Sequence, residues 1–223
     1  MIQFTFIILF FSLNIFAQTS PAKYWLDPNG NEIKIKQRSL LFDKFPDNSL
    51  AFRKTADSGM VYQFNAPKYS TYKVDYSIFK FEIEKITNKT YADSTIFLIN
   101  YHYFDDNCSN WTSNKMTKEN INNIKKAHGE SINQIKKLDN RIEIIYLFEN
   151  EIELKNNPNI KSEYFYSDYD NFFRKNLLIN STVCGSFGLI KPNGQTLIRN
   201  GESHVNEIYE HLKPEIWNLI FQQ

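Results

Sequence analysis

The chain has 223 residues, 42% of them hydrophobic and 16% aromatic, and 26 basic residues stand against 25 acidic ones for a formal net charge of +1. That apolar content suffices for a sizeable core, and a mature length of about 205 residues suits one domain with an extension. So even a balance leaves no global field to gather nucleic acid or an anionic membrane, and neither is expected as a partner.

The opening stretch, MIQFTFIILFFSLNIFAQTS, is an uncharged apolar run that ends at Ala17 before the polar Gln18 and Thr19. It reads as a secretory signal peptide, residues 1–17, although no basic residue precedes the run. The run is shorter than the roughly 20 apolar residues a spanning helix needs. No Cys follows it to take a lipid. The expected location is therefore exported, periplasmic or extracellular, with no stable membrane insertion after cleavage.

Residues 18–70 read as a β-rich extension. Tyr24, Trp25 and Leu26 run into the turn cluster Asp27, Pro28, Asn29 and Gly30, and Ile33, Lys34, Ile35 and Lys36 alternate as a strand does. Leu50 to Phe52 and Met60 to Phe64 are further strand candidates. The extension is expected to cover a sheet edge, and residues 66–70 to act as a connector into a main domain over 71–223.

From Asp75 the apolar period turns helical. Ile78, Phe79, Ile83 and Ile86 form a stripe, with Asp75 as N-cap and Asn88 as stop. STIFLINYHYF, residues 94–104, reads as a central strand covered on both faces. A long helix is predicted over 117–138 on Ile121, Ile124, His128, Ile132, Ile135 and Leu138, with Gly129 as a soft spot. RIEIIYLF, residues 141–148, is a second buried strand, and Asn156 to Asn159 is a turn. A short aromatic helix is expected over 168–179. Then CGSFGLIKPNGQTLIRNG gives a strand, a turn at Pro192, Asn193 and Gly194, and a second strand. A closing helix over 205–212 follows, with Val205, Ile208, Tyr209 and Leu212 on one face. Buried strands alternating with helices predict a mixed α/β sheet with right-handed crossovers.

Cys108 and Cys184 are the only cysteines. An even count in an exported chain favours a disulfide. Three states stay open from the residues alone: a structural disulfide, a redox-active pair, or two free thiols.

The order from Asp75 onward resembles the thioredoxin-like fold, in which a β-hairpin and a packing helix end the domain. It looks most like the exported redoxin and thiol–disulfide oxidoreductase branch, where a segment such as F-L-I-D-x-x-G opens the last hairpin. Here Phe187, Gly188, Leu189, Ile190, Lys191, Pro192, Asn193 and Gly194 stand in its place, and Asn100 to Phe104 resembles the strand end that leads into the family's active-site loop. The resemblance covers about two thirds of the chain. It implies that Cys108 and Cys184 lie at one end of the sheet, close enough to pair. The departures are specific. The family's C-x-x-C is missing, because Trp111 stands where a second Cys would fall. The family's cis-proline should lie at about Gly185.

Other candidates carry less. Asp105 and Asp106 have the wrong sign to hold Cys108 as a thiolate, and Asp105 occupies the place of the Thr or Ser that peroxiredoxins put before their Cys. His102 with Asp105, Asp106 and Cys108 has poor metal-ligand spacing and reads instead as a histidine packed among Tyr101 and Tyr103. His204, Glu207 and His211 share a helical face, which reads as a solvated polar face. Asn88, Asn107, Asn110 and Asn180 head glycosylation sequons that an Asn-rich chain produces by chance.

The sequence reading is an exported α/β protein with a thioredoxin-like central mixed sheet flanked by helices and a small N-terminal β-rich extension. It is expected to act as a binding or scaffold module stapled by Cys108 and Cys184, without conventional dithiol activity, and with no cofactor or metal. Another envelope protein is the expected kind of partner. The alternative is an atypical thiol–disulfide exchange protein with Cys108 and Cys184 as its catalytic pair.

Overall fold

The structure, a computed structural model, describes residues 23–33, 45–55, 59–106, 108 and 114–221. The signal peptide read at 1–17 and most of the alternation at 33–36 lie outside them. Three strands come first, β1 (Lys23–Leu26), β2 (Asn48–Thr55) and β3 (Gly59–Pro67), and then β4 (Tyr69–Lys73) leads into helix α1 (Tyr76–Thr87). Next are β5 (Ile96–His102), the short β6 (Lys115–Met116), helix α2 (Lys118–Leu138), β7 (Ile142–Glu149) and the short β8 (Glu153–Leu154). The chain closes with β9 (Phe165–Asp168), α3 (Phe172–Asn176), β10 (Ser186–Ile190), β11 (Gln195–Asn200), α4 (Val205–Glu210) and α5 (Pro214–Phe221).

The fold is mixed α/β. Six strands form one sheet in the order β4-β11-β10-β5-β7-β9. β5, β7 and β9 run parallel, while β10 is antiparallel to β5 and the hairpin continues antiparallel through β11 to β4. Alternate side chains of β5 serve two cores, as the period of a strand requires. Ile96 and Leu98 join Ile121, Ile124, Ile132 and Ile135 of α2 on one face, and Phe97, Ile99 and Tyr101 join Phe79 and Ile83 of α1 on the other. Both helices start at a capping side chain. Asp75 accepts the Ser77 N–H at 3.0 Å, and Thr117 accepts the Asn120 N–H at 3.2 Å. Asn88 ends α1 in the left-handed region at φ 52°.

The structure corrects five expectations. The extension does more than cover an edge. Its sheet, in the order β1-β3-β2, contributes Trp25, Leu50, Phe52, Tyr62 and Phe64 to the same core as Phe79 and Ile83, because rings of that size need a face to bury against. Residues 66–70 are not a simple connector, since β4 begins at Tyr69 and pairs with β11 as the sheet's edge. Its alternation of exposed and half-buried residues leaves no apolar run to read. The helix expected over 168–179 shrinks to α3, because Phe165 to Asp168 is a fully buried strand and Asp168 accepts the Arg174 N–H at 3.1 Å. The closing helix stops at Glu210. Pro214, favoured at a first helical position, starts α5, whose Trp217 is buried. Leu138, assigned to the α2 stripe, is instead 70% exposed.

Candidate functional site

β5 delivers the chain to one end of the sheet, and Asp105, in the left-handed region at φ 59°, turns it sharply. Asp106 follows, and its carboxyl group turns inward to 3% exposure. Across from it the segment before β10 arrives with Cys184 at φ 69° and Gly185 at φ 74°. Two consecutive left-handed residues aim two backbone N–H groups the same way. Both donate to Asp106, Cys184 at 3.1 Å and Gly185 at 2.9 Å, and the Cys108 N–H adds a third bond at 3.0 Å. Gly185 is required here, because a Cβ would fall on the carbonyl oxygen of Tyr101.

The two cysteines meet over this carboxylate as a disulfide, with Cα atoms 4.8 Å apart and 76 residues between them in sequence. That lies within the 4.4–6.8 Å that a disulfide spans. Of the three states open to the residues alone, the structure therefore holds a disulfide; whether it is structural or exchange-active is a question of chemistry. No cis peptide bond stands beside it among the described residues.

Burial raises the Asp106 carboxyl to a pKa of about 6, against the pull of its three N–H donors, and Glu202 nearby adds to the rise. The Glu202 carboxylate lies within 4.8 Å of both sulfurs. Such a grouping of two sulfurs and a carboxylate resembles a metal-ligand set. Bonded to each other, however, the sulfurs offer no thiolate to an ion.

Beneath the disulfide runs a buried polar network. Thr182 Oγ1 donates to the Gly185 carbonyl at 2.7 Å and meets Ser186 Oγ at 2.9 Å. Tyr103 donates to Ser186 Oγ at 3.0 Å, and Ser186 reaches Asn200 Oδ1 at 3.2 Å. Asn200 Nδ2 donates to the Pro67 carbonyl at 2.7 Å, and Ser49 donates to the Asn200 carbonyl. The small sheet grips the same segment from outside. Phe52 N–H donates to the Ser181 carbonyl at 3.0 Å, and Val183 N–H to the Leu50 carbonyl at 2.9 Å. A network satisfied this fully is rigid.

One ion pair organises the rim. Glu149 accepts the Phe104 N–H at 2.7 Å and the Arg174 guanidinium at 3.2 Å. Arg174 in turn donates to the Ile179 carbonyl at 2.7 Å and to Ser181 Oγ at 2.6 Å. Phe104 and Ile179 are thereby fixed while 37% and 52% exposed. Neither Glu149 nor Arg174 stood out in the sequence, because no motif links a glutamate at the end of one strand to an arginine 25 residues later.

His102 is brought close to none of these groups. It packs on the other face of β5 from Tyr101 and Tyr103, which corrects the neighbours expected for it. Its ring stacks on Phe148 with centroids 4.6 Å apart. Neither ring nitrogen has a partner among the described residues, and burial pulls its pKa down to about 4. In the α4 region Glu207 accepts from Ser203 Oγ at 2.7 Å and from the His204 N–H at 3.3 Å, while His211 Nδ1 lies 2.9 Å from the Glu207 carbonyl. These three residues cap and close a helix.

No protein-family model, curated protein or solved structure matches this chain, and its function must be read from its residues. Among the described residues no helix is long and apolar enough to cross a membrane.

Proposed function

We propose that this is an exported protein on a thioredoxin-like core, in which the Cys108–Cys184 disulfide is a structural staple and the domain serves as a binding or scaffold module. The element order supports the thioredoxin-like reading: a strand, a helix and a parallel strand are followed by an antiparallel hairpin and closing helices, with both cysteines at one end of the sheet.

The observation that carries the staple reading is the charge around the sulfurs. Disulfide exchange needs a stabilised thiolate, held by a cation or a helix N-terminus. Here Asp106 bonds to the N–H groups of both cysteines, and Glu202 stands at the sulfurs. Two acids destabilise a thiolate and so favour the closed bond. The rim residues Phe104 and Ile179, exposed and fixed, are the part of this end suited to contact another protein.

A second reading, exchange by Cys108 and Cys184, is favoured by the backbone of Cys184, since non-glycine residues held at positive φ gather at functional sites. Graded reduction of the mature protein with a thiol count separates the two. A staple opens only below about −300 mV and with loss of structure. Opening at a milder potential with the fold intact would overturn the staple and make the pair active.

A further inference from the structure

At the opposite end of the parallel strands a groove of about 690 Å³ opens between the C-terminus of α1, the start of β7 and the loop that leads into β9. Its walls carry three lysines, Lys89, Lys136 and Lys161, against one carboxylate, Glu143. Glu143 is already engaged by Lys136 at 3.0 Å. The next acid, Glu163, is held by Lys125 at 2.7 Å and by the N–H groups of Tyr164 and Phe165. Lys89 is left half-buried without a carboxylate partner among the described residues. Its Nζ donates to the Glu163 backbone carbonyl at 2.6 Å and lies 5.6 Å from the centre of the Tyr166 ring. Lys161 has no counter-ion among the described residues, and the side chains of Asn88 and Thr90 hold no hydrogen bond there. Ile160, 49% exposed, supplies an apolar wall.

A partly desolvated ammonium held by a carbonyl and a ring face, with no carboxylate among the described residues, is an incomplete arrangement. Burial lowers the Lys89 pKa, and the like charge of Lys136 lowers it further, against the opposing pull of Glu143 and Glu163. An anion seated between Lys89 and Lys161 would complete both, with Asn88 and Thr90 as further donors. Concave sites of this size with a few converging polar groups are the usual shape for small ligands.

We propose that this groove binds a small molecule bearing a phosphate or carboxylate group, with Lys89 and Lys161 as its charge contacts and Ile160 against its apolar part. The proposal stands apart from the role given to the disulfide.

Calorimetric titration of the mature protein at low ionic strength with phenyl phosphate and with benzoate tests it. Saturable one-site binding of either probe is expected, and the preferred probe assigns the phosphate or the carboxylate class. Loss of one charge-assisted contact in Lys161→Gln should weaken binding by about tenfold, and Lys89→Met should abolish it. Lys213→Gln, which removes a surface lysine paired with Glu210, should leave it unchanged. Absence of saturable binding by both probes, or equal weakening by Lys213→Gln and Lys161→Gln, would overturn the proposal. Lys161 is exposed, so its variant remains a fair test even where Lys89→Met unfolds.

Discussion

At the disulfide end of the sheet one buried carboxylate is wrapped by three backbone N–H groups, and the hydroxyls and amides beneath it satisfy one another. At the groove end the charges are lysines, the walls are open, and among the described residues two of the three cations lack carboxylate partners. The first end is complete as it stands, and any change there leaves something unpaired. The second end has unspent donors. Completeness marks a staple and incompleteness a binding site, which is why the same sheet is assigned a fixed end and a receptive one.

That contrast can be broken or sharpened by mutation. The largest effect is expected from the disulfide. Cys108→Ser with Cys184→Ser should cost about 4 kcal/mol on the loop-entropy account, seen as a Tm lower by about 10 °C. A loss under 1 kcal/mol would remove the staple from the comparison. Gly185→Ala comes next, at about 1–3 kcal/mol in urea unfolding, because its left-handed backbone and the Tyr101 carbonyl both oppose a Cβ.

The third effect is on pH dependence. Asp106, raised from 3.8 to about 6, contributes stability that is present at low pH and lost as pH rises through about 6. His102, lowered from 6.5 to about 4, contributes stability that is present above 6.5 and lost as pH falls through about 4. The two slopes oppose. Between about pH 4 and 6 the Asp106→Asn variant should gain stability as pH rises, and His102→Phe should lose it. Parallel pH curves for the two variants would show that neither group titrates as its burial implies. The smallest effect belongs to the groove, where Lys161→Gln should change stability by less than about 0.5 kcal/mol while changing ligand binding.

Much of this was legible because it rests on local signals. The caps Asp75 and Asn88 act within a turn of themselves, and the buried runs of β5 and β7 declare strands covered on two sides. The hairpin was written in Pro192, Asn193 and Gly194. What escaped was decided by tertiary contact. β4 and β9 are strands only because β11 and β7 lie beside them. Asp106 looked like a charge that merely opposes a thiolate, since nothing in its neighbours reveals that Cys184 and Gly185 bring two N–H groups to it. Glu149 and Arg174 meet at the rim across a strand and a helix, a distance no spacing rule spans.

The hydrogen bonds from β2 to Ser181 and Val183 carry a consequence for how the chain matures. They join the start of the protein to the segment just before Cys184, so neither side can settle until most of the polypeptide has been made. Until then Cys108 waits as an unpaired thiol. A chain with many cysteines would use such a delay to form wrong bonds. With two cysteines only one internal bond exists, so late closure cannot scramble it. The single pairing lets the protein bind its earliest strands to its latest ones without needing its disulfide sorted.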